Sequence, residues 1–123
     1  MKSSTLVADL STQDANLKDF ITKSINGAFD TAIVIHNVGS TGQGKATREM
    51  DYGGAISSYY ALNVVGPVTL NALFLEATKD IKRRIVVNVS SLLGLQPVPS
   101  FGLYCSGKYF VIWRDADGSN AEV

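Results

Sequence analysis

An α/β fold built on a parallel sheet is what the sequence predicts, and three observations carry that reading. "TAIVIH" (31–36) and "RIVVNV" (84–89) are short, β-branched runs, as strands covered on both faces require. A long uncharged segment separates them, with room for a crossover helix. Strand-like and helix-like segments alternate along the chain, which is the order of a doubly wound sheet.

Taken in order, "STLVADL" is an apolar run ending at Asp9 and reads as a strand. Ser11 followed by Asp14 has the form of a helix start, a side-chain oxygen cap with an acidic residue in the first turn. Leu17, Phe20, Ile21 and Ile25 recur at helical spacing, and Gly27 can close that helix. After the strand at 31–36, residues 37–53 are rich in glycine and polar groups and form a loop. A long helix then runs to about Asp80, with Pro67 kinking it or marking an early break. The strand at 84–89 leads into a loop with Pro97 and Pro99, and a last helix opens near Tyr104. It keeps one or two turns before "DADGSN" stops it, and residues from Ile112 onward are expected to pack poorly.

The bulk numbers exclude several functions. With 123 residues the chain suits one domain, and 46% apolar with 18% charged residues lies in the soluble globular range. Eleven basic residues balance eleven acidic ones, so no electrostatic drive toward nucleic acid or an anionic membrane is expected. Cys105 is the single cysteine, which forbids an internal disulfide and makes a reduced, cytoplasmic setting the default. The N-terminus lacks the apolar core of a secretion signal. Residues 52–75 carry no charge, yet Ser57, Ser58, Asn63, Thr69 and Asn71 suit a helix buried in protein better than one facing lipid.

The chemistry concentrates in "VNVSSLLGLQPVPSFGLYCSGK" (87–108). Tyr104 and Lys108 are four apart at a helix start and share a face. An ammonium beside a phenol favours the phenolate, so such a tyrosine can pass a proton to a carbonyl oxygen being reduced. Ser91, at the tip of the neighbouring strand, can hydrogen-bond the same oxygen. An exposed Tyr–Lys pair is the ordinary explanation of that spacing alone. Its setting, with the strand tip, the Pro-containing loop and the small Ser106 and Gly107, favours the site.

These residues resemble the short-chain dehydrogenase/reductase family, whose active site combines a Ser, a Tyr-x-x-x-Lys and an Asn on the preceding long helix. Asn63 in "YYALNVVG" matches that Asn. "HNVG" (36–39) is similar to the family's Asn-Asn-Ala-Gly, with His36 and Val38 as departures, and "ADL" (8–10) to the acidic residue and neighbour beside the adenine. Leu-Gln-Pro in the loop and Leu-Tyr-Cys-x-Gly-Lys around the tyrosine look most like the branch that reduces pterin side-chain carbonyls in tetrahydrobiopterin synthesis. The resemblance implies NADPH (cofactor NADP) as hydride donor. It also implies Tyr104 as proton donor, Ser91 as carbonyl anchor, Lys108 on the nicotinamide ribose and Asn63 holding a relay water. Asp9, Leu10, Asn37 and Gly39 would line the cofactor. The partner implied is a small carbonyl substrate, with a homodimer through the helices at 54–80 and from 103.

A rival motif is "GSTGQGKA" (39–46), which follows a strand as a phosphate-binding loop does but has Ala46 where the Mg²⁺-binding hydroxyl belongs. A mobile loop beside a cleft accounts for it better. His36 lacks a partner His or Cys for a metal, and no metal site is expected. The resemblance covers roughly residues 5–108, so a partial Rossmann-like sheet is expected, lacking the first two strands and the C-terminal part. That leaves a reductase with an impaired cofactor cradle, or a non-catalytic form that pairs with a full-length subunit.

Overall fold

The computed structural model describes residues 4–12, 15–25 and 27–113. Helix α1 (Ala15–Ser24) leads to strand β1 (Thr31–His36), and a long loop then reaches helix α2 (Ala55–Tyr60). A π-helical segment (Ala61–Val65) joins α2 to helix α3 (Gly66–Ala77). Strand β2 (Arg83–Asn88) and helix α4 (Gly102–Trp113) complete the order. The α/β architecture is the predicted one.

β1 and β2 pair in parallel, from Thr31 opposite Arg83 to His36 opposite Asn88. This register puts Val34 and Val86 on one face and Ile33, Ile35, Ile85 and Val87 on the other. The first face packs under α3, with Val86 and His36 buried. On the second, Ile33 and Ile35 stay 57% and 62% exposed. Coverage on both faces, expected from the apolar runs, is therefore not realised among the described residues. Apolar composition reports what a strand can bury, not what is present to bury it.

The strand expected at 5–9 does not form either. Those residues have no ladder partner among the described residues, and without one an apolar run gains nothing from the extended ladder. They end in a turn instead, where the Ser11 amide and hydroxyl both donate to Asp9 Oδ1, at 2.9 and 2.7 Å. Ser11 is thus spent on Asp9 and does not cap α1, which opens four residues later. Asp14 lies outside the described residues. Leu17, Phe20, Ile21 and Ile25 are half-buried, and α1 rests against α3. The helix ends at Ser24, before Gly27.

Pro67 shapes the crossover as its chemistry requires. Its ring nitrogen has no proton for the carbonyl of Asn63, and its ring crowds that carbonyl. The wider π turn just before it absorbs the conflict, and the Gly66 amide reaches back to Ala61 O. The helix continues, so the proline marks an irregularity and not an end. Gly66 is required here for another reason: a Cβ would collide with the backbone oxygen of Leu10. α3 stops at buried Thr78, whose amide and hydroxyl both donate to Phe74 O.

The core joins Met50 of the loop, Tyr59 of α2 and Leu103 of α4, with Ile56 and Tyr60 against them. Lys45 of "GSTGQGKA" does not enter a helix. A three-residue 3-10 turn (Thr47–Glu49) follows it, and α2 opens only at Ala55. A phosphate-binding loop needs a helix N-terminus at that point, so this reading fails. No helix among the described residues is long and apolar enough to cross a membrane. α4 extends one further turn past Lys108, and the polar end from Arg114 lies outside the described residues.

Candidate active site

The site residues arrive from separate parts of the fold, Tyr104 and Lys108 together from α4, Asn63 from the π segment and Ser91 from the loop after β2. Asn63 sits buried in the π segment, where the wider turn presents its amide to the loop after β1. Its Oδ1 accepts from the Ser40 amide at 2.8 Å, and its Nδ2 donates to Tyr59 O at 2.9 Å. Both ends of the amide are thus committed, and its orientation follows from the two bonds. Gly39 lies against it. A Cβ at Gly39 would stand 3.1 Å from Asn63 Oδ1 and 3.6 Å from Lys108 Nζ, so bare backbone forms the wall between those two side chains.

Lys108 comes from the second turn of α4. Its ammonium donates to Val89 O at 3.0 Å, just past the end of β2, and lies 5.7 Å from the centre of the Tyr104 ring. The Lys108 carbonyl accepts from the Ser90 hydroxyl at 3.2 Å, a second tie between the helix and the strand end. Ser91 caps the 3-10 turn Leu92–Gly94, its Oγ accepting from the Leu93 amide at 3.2 Å. That turn packs on α4. A serine hydroxyl that accepts through one lone pair still has its proton to donate.

Among the predicted residues, Gly39, Asn63, Lys108 and Tyr104 form one chain of neighbours. A small cavity of about 10 Å³ touches Asn63, Lys108, His36, Asn88 and Pro67, with neither Ser91 nor Tyr104 in its wall. Asp9 lies apart, on an open groove of about 410 Å³ that it shares with Ser40, Gln43 and Ser58. Hydrogen bonds from the Ser11 hydroxyl and then its amide hold the Asp9 carboxyl below its ordinary value. Leu10 turns its backbone to Gly66. Asn37 is exposed just beyond β1. No group of three or more His, Cys, Asp or Glu able to hold a metal occurs among the described residues.

Sequence reasoning missed two contributors, Ser40 and Tyr59. Ser40 follows the "HNVG" motif directly, so proximity was a usable signal. Tyr59 stands four residues before Asn63, but its reach to α4 depends on tertiary packing: its hydroxyl donates to Tyr104 O at 3.3 Å.

The chain is similar to known proteins in sequence and in fold. Sepiapterin reductase of Xenopus tropicalis is 39% identical over 85 residues, covering 67% of this chain and 33% of that protein. The bulky-bulky ketone specific alcohol dehydrogenase of Comamonas testosteroni superposes with a TM-score of 0.75 at 24% identity, over 89% of this chain and 42% of that one. A Shigella flexneri short chain dehydrogenase complexed with NADP superposes with a TM-score of 0.70 at 22% identity, over 85% and 44%. The chain spans about a third of the length of the curated relatives it matches. The family model described as short chain dehydrogenase matches residues 2–113, and the chain belongs to that family of oxidoreductases.

Proposed function

We propose that these residues carry the catalytic group of an NADPH-dependent carbonyl reductase acting on a pterin side-chain carbonyl, as in tetrahydrobiopterin synthesis. The observation that carries the reading is the continuous neighbourhood of Gly39, Asn63, Lys108 and Tyr104. Similarity to sepiapterin reductases supports the substrate class, and the NADP complex of the Shigella flexneri relative supports the cofactor. The reaction is assigned to the cytoplasm, in keeping with a lone reduced cysteine.

The residues suit the nicotinamide end of such a cofactor. An ammonium has three protons, and Lys108 spends one on Val89 O, leaving two for ribose hydroxyls. Gly39 offers backbone with no side chain in the way, with Asn37 beside it and Asp9 and Leu10 toward the adenine. When bound, the cofactor supplies the hydride. Ser91 donates a hydrogen bond to the substrate carbonyl oxygen, keeping its own proton, and holds that oxygen in place. Tyr104 delivers a proton to the same oxygen as charge develops there. Asn63 keeps a water from which Tyr104 is reprotonated, with the Lys108 ammonium 5.7 Å from the centre of the Tyr104 ring.

Exposed Val65 and Val68, with exposed Tyr109 and Phe110 on α4, support a pairing surface on the helices at 54–80 and from 103. A second copy or a full-length subunit would sit there, and neither nucleic acid nor membrane is assigned as a partner.

The test joins these residues to a glycine-rich βα unit and follows sepiapterin-dependent NADPH consumption. Tyr104→Phe is expected to nearly abolish reduction while NADPH binding, followed by fluorescence, stays close to intact. Ordinary turnover in that variant removes Tyr104 from the mechanism.

A further inference from the structure

Among the described residues Tyr59 is the most enclosed aromatic, 3% exposed, and it meets α4, Asn63 and the loop after β1. On one side its hydroxyl donates to Tyr104 O at 3.3 Å. In the helical ladder that oxygen also receives the amide of residue 108, so the phenol takes the second lone pair of the turn carrying both Tyr104 and Lys108. Gly107 lies within that turn and is buried. A Cβ there would collide with the Tyr59 hydroxyl and come within 3.0 Å of the ring, so the approach requires glycine.

On the opposite edge the ring meets Gly42, which adopts φ +64° and whose Cβ would stand 2.8 Å from Cδ2. Through its own carbonyl, Tyr59 holds Asn63 Nδ2, while Asn63 Oδ1 holds the Ser40 amide. Burial foremost, with Tyr60, Tyr104 and Cys105 nearby, pushes the phenol up to about 12, so it remains a donor through the neutral range. A phenylalanine would fill the same space. What it would lose is the polar tie to α4, which the hydroxyl adds to the packing of the ring against Leu103.

We propose that Tyr59 is the positioning residue of the site: its hydroxyl, anchored on Tyr104 O, fixes where the Tyr104–Lys108 turn stands relative to Asn63. This rests on the reading of Tyr104, Lys108 and Asn63 as the catalytic group, and adds a residue that touches no reacting atom. The neighbouring bond from Tyr60 to Ser106, 2.7 Å, links the same helices on their exposed side. It reaches no backbone atom of the turn and serves as the control.

The experiment labels the full chain with [13Cζ]tyrosine and reads Tyr104, its resonance assigned by loss in Tyr104→Phe. Tyr59→Phe is expected to shift the Tyr104 resonance with helix content retained by circular dichroism, whereas Tyr60→Phe leaves it in place. Should Tyr59→Phe not fold, Gly107→Ala displaces the same hydroxyl from the other side and is expected to move the same resonance. This readout is independent of turnover, so loss of a catalytic role for Tyr104 would leave it standing. A Tyr104 resonance unmoved in a folded Tyr59→Phe or Gly107→Ala chain, or moved equally by Tyr60→Phe, overturns the proposal.

Discussion

Lys108 and Val89 are joined by a hydrogen bond of 3.0 Å from the side-chain ammonium to the backbone oxygen. It ties the second turn of α4 to the segment just past β2, so the lysine serves structure as well as chemistry. Lys108→Met keeps most of the aliphatic stem and loses that bond. Because the contact is exposed, the expected cost is about 1 kcal/mol, at the low end for a charged donor. A lowered urea midpoint with an unchanged slope is the measurement that checks it. No loss of stability would mean that water replaces the lysine there.

Asn63→Ala is expected to cost more, about 1–3 kcal/mol, because it leaves the part-buried Ser40 amide without its acceptor and takes a second donor from the Tyr59 carbonyl. Hydrogen exchange gives the sharper signature. The Ser40 amide should exchange faster in the variant relative to amides of β1, and equal rates in both proteins would contradict the assigned bond.

Alkaline stability should depend on Tyr59. Its phenol is raised from the ordinary 10.0 to about 12, chiefly by burial. A raised value means the folded chain holds this proton more tightly than the unfolded one. That contribution is therefore complete below about pH 10 and is lost as the pH rises through about 12. Denaturation series across this interval should show a shallower decline for Tyr59→Phe than for the parent. Parallel profiles would remove Tyr59 as a source of the decline.

The open sheet face should make the chain self-associate. Ile33 and Ile35 stand side by side on it, more than half exposed, and apolar strand surface of this kind pairs readily. Replacing both by Lys is expected to lower the weight-average mass in sedimentation velocity while circular dichroism stays unchanged. An equal tendency to associate would place the sticky surface elsewhere, with Val65, Val68 and Tyr109 the next to change.

What the sequence determined by itself was local. The strand at 31–36, the helical run that carries Asn63, and Tyr104 four residues before Lys108 follow from β-branching, an uncharged helical segment and a spacing near one helical turn. The effect of Pro67 was legible as an irregularity, since a missing amide proton acts within four residues. Only tertiary structure decided whether an apolar run gains a partner. Residues 5–9 and 31–36 look alike in sequence, yet among the described residues only the second finds a neighbouring strand, because ladder bonds depend on what lies alongside. The same holds within the site. The hydroxyl of Tyr59 reaches α4 across 45 residues of chain, where Gly107 leaves room for it. No local pattern encodes that contact, because it is set by how closely two helices approach.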